Sequence, residues 1–441
     1  MHEERGLYHG RAIAVVRPAS TSEAAAVIRL CDADGVPLVP QGGNTSLVGG
    51  SVPWEHGTEI VLSTKRLNHV RAIDPLNYTI TVEAGCLLTD IQRAAVTAGC
   101  FFPLSLGASG SCHIGGNLAT NAGGLNVLRY GTARDLTLGL EVVLPNGQVW
   151  DGLRALAKDN SGYALKHLFI GAEGTLGLIT AAVLKLYPHP KDVCTAICAL
   201  PGIEEALTLL SHVRAASNDL VTAFELIPRL GLSFVLRHLH GFTDPFPIPW
   251  PWYTLIELST ANPTSGLKMM FESILEQALI TGVIGDAVIA DNLEHTATFW
   301  RIREGLLEAQ KREGGSIKHD VSVPVSRIPE FLARATEAVT DALPGVRVCA
   351  FGHVGDGNIH FNLSQPPAMD LKAFLAYWLP LNRVVHDIVI AMGGSISAEH
   401  GIGRLKREEM ARCKDPVELD VMRKIKGILD PNYIMNPGKV L

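Results

Sequence analysis

The sequence predicts an α+β protein of two or three domains, and three observations carry that reading. At 441 residues the chain is too long for one ordinary core. Its first ninety residues run strand, helix, strand and then further strands, the order of an α+β unit. Near residue 190 the pattern changes, from glycine-rich loops and strands to longer amphipathic helices interleaved with strands. Forty-seven per cent hydrophobic and 19% charged residues fit a well-packed globular chain.

Taken in order, "RAIAVVRP" (11–18) reads as a strand and the following residues as a helix. Thr21 or Ser20 serves as its cap, with Glu23 in the first turn. "VPLVPQ" is a second strand running into "GGNTSLVGGSVP", and "EIVLST" and "VRAIDPLNYTITVEAG" add strands. Residues 101–190 are glycine-rich loops and strands ending in "GTLGLITAAVLKLYP". Beyond 190, "LEHTATFWRIREGLLEAQKREGG" is an amphipathic helix stopped by Gly314 and Gly315. "HGFTDPFPIPWPWYTLIEL" is a proline-rich loop before a strand. It reads as a rigid spacer, with a membrane or quinone contact through Phe246, Trp250 or Trp252 as the alternative. "DPNYIMNPGKVL" packs back on the body. The domains expected are 1–190, 191–400 and a short C-terminal helical segment, 401–441.

The net charge of −6 argues against a nucleic-acid binder. No run of about 18 apolar residues suits a membrane helix. The start "MHEERGLYHG" has no apolar signal core. The eight cysteines are scattered without a CxxC pair, which reads as reduced thiols in a cytoplasmic protein.

Three glycine-rich stretches dominate the first 180 residues: "PQGGNTSLVGG", "IGGNLATNAGGLNVLRYGTARD" and "GAEGTLGLI". Glycine lets backbone N–H groups close on a phosphate. Neither G-x-G-x-x-G after a strand nor a P-loop occurs, so a dinucleotide fold of the ordinary kind is not indicated. Each loop taken alone is a turn. Three together, with Asn and Thr interleaved, suggest a large phosphate-bearing cofactor.

"FGHVGDGNIHFN" (351–362) raises a metal site. His353 and His360 flank a glycine turn, and His360 and Asn362 share one face of a strand. "GGSISAEHGIG" offers Glu399 as a third ligand, beside His400. Two histidines and a carboxylate make an open site for zinc or a similar ion. Two independent tight turns are the bland alternative, and Asp356 reads as a turn residue. A metal beside a neutral imidazole suits either oxidation of an alcohol or hydrolysis.

These stretches, with "GAEGTLGLIT", "SAEHGIG" and the final "NPGK", resemble the vanillyl-alcohol oxidase/p-cresol methylhydroxylase family, in its D-2-hydroxyacid dehydrogenase branch. The resemblance covers nearly the whole chain. It implies an FAD-binding domain at 1–190, a substrate (cap) domain at 191–400, and a return segment on the FAD domain. Family members carry a further helical stretch before the first strand. By the resemblance, Gly42, Gly43, Asn44 and Thr45 hold the FAD pyrophosphate. Gly115, Gly116, Asn117, Thr120, Asn121 and Gly124 line the flavin. Glu173, Gly174 and Ile179 lie toward the adenine–ribose side, and Asn436 of "NPGK" also belongs to the cofactor set. Asn44 and Thr45 stand where some relatives tether FAD through a histidine, so non-covalent FAD is expected. His113 reads as a packing residue.

The resemblance further makes His353, His360 and Glu399 the ligands of Zn2+ or another divalent metal. It makes Arg303, Lys318 and Asn362 substrate contacts and His400 the base. On residue type alone, Arg303 and Lys318 would read as solvated charges. Leu307 stands where the hydroxyglutarate-oxidising members carry a threonine, which weakens the case for a distal carboxylate on the substrate. The implied reaction takes a D-2-hydroxyacid to its 2-oxo acid. Hydride passes to flavin N5, and His400 deprotonates the metal-bound hydroxyl. Electrons then leave to an electron-transfer flavoprotein, a quinone or a cytochrome. A homodimer is expected, cytoplasmic or peripheral at the inner membrane. The rivals are a flavin subunit of a glycolate oxidase-like complex, an O2-using oxidase, and a zinc hydrolase.

Overall fold

The computed structural model describes residues 2–3 and 6–441. The chain divides into two compact units. The first holds the chain up to Asn126, Tyr130–His189 and Glu399–Leu441; the second holds Val127–Arg129 and Pro190–Ala398.

The first unit opens with the strand Ala12–Val16, the helix Thr21–Asp34 and the strand Leu38–Gln41. Ser20 is the cap: its hydroxyl accepts from the Glu23 N–H at 3.2 Å. Gly35 ends the helix at φ +64°, a conformation that costs a glycine little. Glu59–Ser63 pairs in parallel with both strands and lies between them. A five-stranded antiparallel sheet follows, in the order Val70–Asp74, Thr79–Glu83, Leu178–Lys185, Thr137–Val143, Val149–Gly152. Leu178–Lys185 is buried along all but its last residue. Burial on both faces is why "LITAAVLK" reads as an unbroken run rather than an alternation. Ile80, Val82, Ile114, Leu140 and Leu184 form the core beside it.

The second unit is an eight-stranded antiparallel sheet. Its inner strands are Asp192–Leu200, Trp252–Thr260, Val221–Pro228, Arg347–His353 and Asn358–Ser364. Asp286–Ile289 edges one side and Ser316–Ile317 the other, and Asp320–Ser322 also pairs with Asn358–Ser364. The helix Leu293–Arg312 starts at Asn292, whose side chain accepts from the His295 N–H at 2.9 Å, and stops just before Gly314. Phe299, Ile302 and Leu306 of this helix pack with Tyr253, Leu255 and Phe351 of the sheet. In the proline-rich loop, Phe246 is buried and stacks on Tyr253 with ring centroids 5.7 Å apart. That ring is a core anchor and offers no contact to a membrane or a quinone.

Seven of the eight cysteines are buried thiols outside any disulfide, and Cys413 is half-buried. Among the described residues no helix is long and apolar enough to cross a membrane.

Candidate active site

In the first unit the glycine loops divide into two kinds. A Cβ at Gly43 would stand 2.1 Å from the Ser111 carbonyl oxygen, and one at Gly115 would stand 2.6 Å from Ala84 Cβ. Gly124 lies at φ +90° against the Ser105 carbonyl. These three are glycines because backbone packs there. A Cβ at Gly116 would meet nothing within 4 Å, and one at Gly42 would make only ordinary contacts with His113 and Gly116. Gly116 therefore borders open space.

The side chains around them are mostly committed to holding loops. Asn44 donates to the His2 carbonyl (2.9 Å) and accepts from the Ser51 hydroxyl (2.8 Å). Thr45 is half-buried in the same loop. The Thr120 hydroxyl donates to Gly116 O at 3.1 Å, and Asn121 Oδ1 accepts from the Arg134 N–H at 2.9 Å. Glu173 accepts from the N–H groups of Ile402 (2.7 Å) and Gly403 (2.9 Å). Burial outweighs those bonds and the nearby Lys406, and pushes its carboxyl up to about 7. Gly174 lies at φ +71° against Pro40, and the Ile179 side chain belongs to the core. Asn436 Nδ2 donates to the carbonyls of Gly50 (3.0 Å) and Glu173 (2.8 Å). His113 is buried with Nδ1 at 3.3 Å from the Thr64 hydroxyl; burial, with Lys65, pushes its pKa down.

Two buried acceptors are left over. Asn117 Oδ1 and Asn436 Oδ1 have no hydrogen-bond partner. An orphaned buried carbonyl oxygen is costly unless a ligand brings a donor. Flavin and ribityl groups carry N–H and O–H donors of that kind. The residues fit FAD on this ground and on the open space at Gly116.

Glu399 and His400 are half-buried in the same unit. Glu399 Oε1 accepts from the Gly124 N–H at 2.6 Å, which ties an expected metal ligand to an expected flavin glycine.

The second unit gathers the other polar residues. His353 ends one strand, and His360 and Asn362 lie on the next, joined through a turn in which Gly357 takes φ +91°. The two imidazoles are edge to face, with centroids 5.5 Å apart. Glu225, 1% exposed, faces His353 as its cross-strand partner. Its Oε1 accepts from His353 Nδ1 and its Oε2 from Arg303 Nε, each at 2.6 Å. Burial alone would raise the Glu225 carboxyl. The charges of His353 and Arg303, with their hydrogen bonds, win and hold it at about 2. The Arg303 guanidinium also lies over the Phe351 ring, 4.9 Å from its centroid. His360 Nδ1 stands 3.9 Å from Asp320 Oδ1, which accepts from Asn358 Nδ2 at 3.1 Å. Asn362 Nδ2 donates to Gln310 Oε1 at 2.9 Å. Lys318 is half-buried between two short strands, and Leu307 is 45% exposed one turn beyond Arg303.

A carboxylate on one ring nitrogen leaves the other to ligate, the arrangement that metal-binding histidines favour. His353 has such a carboxylate hydrogen-bonded at Nδ1, and Asp320 stands 3.9 Å from Nδ1 of His360; on this ground the pair fits a metal. Sequence reasoning missed Glu225 and Gln310. The signal for Glu225 was present: in "VTAFELIP" it is the one charged residue of an apolar strand, and a buried acid needs a cation.

Residues 12–152 match the FAD binding domain model, and 189–440 match the model of FAD linked oxidases, C-terminal domain. The chain is 38% identical to a probable mitochondrial D-2-hydroxyglutarate dehydrogenase of Oryza sativa subsp. japonica, over 99% of this chain and 76% of that protein. It is 38% identical to the D-2-hydroxyglutarate dehydrogenase of Xanthomonas citri pv. viticola, over 97% and 89%. The mitochondrial D-2-hydroxyglutarate dehydrogenase of Bos taurus is also 38% identical, over 98% and 77%. Among solved structures, substrate-bound p-cresol methylhydroxylase superposes with a TM-score of 0.74 at 16% identity, over 97% of this chain and 88% of that one. An alkyldihydroxyacetonephosphate synthase gives 0.71 at 20% identity, over 96% and 75%. These two likenesses concern the fold, which is that of the p-cresol methylhydroxylase type. The chain belongs to the FAD-linked oxidases, in the branch of the D-2-hydroxyglutarate dehydrogenases.

Proposed function

We propose that this protein oxidises a D-2-hydroxyacid to the 2-oxo acid with non-covalent FAD. The observation that carries the reading is the buried cluster of the second unit, which sets an arginine and two histidines around carboxylates. The names of the relatives agree with it. FAD, when bound, would supply the acceptor for the hydride leaving the substrate Cα. A divalent metal, with zinc as the proposed ion, would be held by His353, His360 and Glu399 and would polarise the substrate hydroxyl and carboxylate.

The chain's own residues do the rest. Arg303 and Lys318 bind the substrate carboxylate, the first by paired N–H donors and the second as a point charge. Asn362, fixed by Gln310, orients the acid. His400 takes the hydroxyl proton. Gly42, Gly43, Asn44 and Thr45 hold the pyrophosphate, and Gly116, Asn117 and Asn436 border the cofactor. The electrons leave to an electron-transfer flavoprotein, a quinone or a cytochrome. Membership of the FAD-linked oxidases disfavours a zinc hydrolase.

The test is anaerobic bleaching of the bound flavin by D- and L-lactate, D-malate, glycolate and D-2-hydroxyglutarate, with and without a chelator. A D-acid should bleach the flavin, and chelation should stop it. Yellow, zinc-loaded protein that no acid bleaches would refute the reading. Denaturation with acid should release the FAD into the supernatant; flavin that stays with the precipitate would contradict non-covalent binding.

A further inference from the structure

We infer that Glu225 is a positioning residue shared by the metal site and the acid-binding site, with one carboxylate oxygen on His353 and the other on Arg303. The inference rests on the proposed roles of His353 and Arg303. No sequence motif links the three residues: Glu225 lies 128 positions from His353 and 78 from Arg303.

The geometry leaves Glu225 little freedom. It sits on an inner strand, paired in register with His353, and is 1% exposed. Both hydrogen bonds are 2.6 Å, short for charge-assisted contacts. A carboxylate can only accept, so His353 must carry a proton on Nδ1. That fixes the tautomer in which Nε2 presents its lone pair to a metal. On the other side the bond takes Arg303 Nε. The two NH2 groups of the guanidinium are not used by Glu225 and form the end-on pair that a substrate carboxylate would take. The face of the guanidinium is set by Phe351.

A buried ion pair could instead serve the fold alone, and the two roles separate by experiment. Glu225→Gln keeps the shape but supplies one oxygen and one NH2. The NH2 must oppose either the Arg303 N–H or the His353 N–H. A histidine that avoids the clash moves its proton to Nε2 and loses the nitrogen that ligates.

In FAD-loaded full-length protein, zinc affinity is measured by chelator competition without acid. Acid affinity is measured with the metal removed, from the shift that pyruvate or 2-oxoglutarate gives in the oxidised flavin spectrum. Glu225→Gln should weaken zinc roughly 10- to 100-fold and weaken the 2-oxo acid as well, with FAD content unchanged. Unchanged zinc affinity, or loss confined to one ligand, overturns the shared role. Wild-type protein that takes neither zinc nor either acid instead refutes the functional reading, before any substitution is made.

If Glu225→Gln does not fold, 15N-histidine spectra of the metal-free wild type decide. His353 carrying a proton on Nδ1 supports the inference. A neutral ring protonated only on Nε2 overturns it.

Discussion

Glu173 shows how much one side chain does in this molecule. Its carboxylate fixes the backbone of Ile402 and Gly403, and its carbonyl is held by Asn436. Burial raises its folded pKa to about 7, above the ordinary 4.5. A raised acid favours the proton in the folded state, so its contribution is full below pH 4.5 and is lost as pH rises to 7. Glu173→Gln carries no such proton. Its stability relative to wild type should therefore improve by about 3 kcal/mol between pH 4.5 and 7, read from urea midpoints. A difference flat with pH would refute the assignment. His400→Ala should retain FAD while flavin reduction by a D-acid slows by about 10²–10⁴-fold; stopped-flow bleaching checks it, and a wild-type rate would exclude His400 as the base. At this scale the sequence was partly legible. His353, His360, Asn362 and Arg303 sit in stretches whose spacing or likeness to a family marks them. Glu225 and Gln310 do not, because their partners come from other strands and helices far away in sequence.

The elements were legible where local chemistry decides them. Ser20 and Gly35 bracket a helix by capping, and Gly314 marks the end of another. The buried run 178–184, apolar but for Thr180, is a strand because both faces are buried, which periodicity alone does not reveal. The short helix Ile114–Ala119 separates two glycines that look alike in sequence. Gly115 lies against Ala84, and Gly116 faces open space. Gly115→Ala should lower the melting temperature of the FAD-free protein, at a cost of about 1–3 kcal/mol from overpacking. Gly116→Ala should melt near the wild type and yet bind FAD more weakly, if its open side is the cofactor's place. Equal melting losses for the two would contradict this division, and so would full FAD retention in Gly116→Ala. Spacing could not make the distinction, because the wall of Gly115 is Ala84, far earlier in the sequence.

Over the whole molecule, the last residues close the first unit on itself. Lys439 pairs with Glu59, both fully buried, and Lys426 pairs with Asp430. Removing one partner of such a pair strands a buried charge. Lys439→Met should cost about 3–5 kcal/mol in denaturant unfolding, and Glu59→Gln in the same chain should recover part of it. Simple additivity of the two changes would refute the coupling. "NPGK" was recognisable as a motif, but its partner near residue 59 was not. The division between 398 and 399 falls inside the glycine-bounded stretch "GGSISAEHGIG". That division bears on how the protein is made. The second unit is one nearly continuous stretch, Pro190–Ala398, whereas the first needs Glu399–Leu441 for completion. A ribosome adding about 5–20 residues per second delivers that closing stretch last. The unit begun first is thus finished second, and the nascent chain carries the first unit incomplete while the second can already fold.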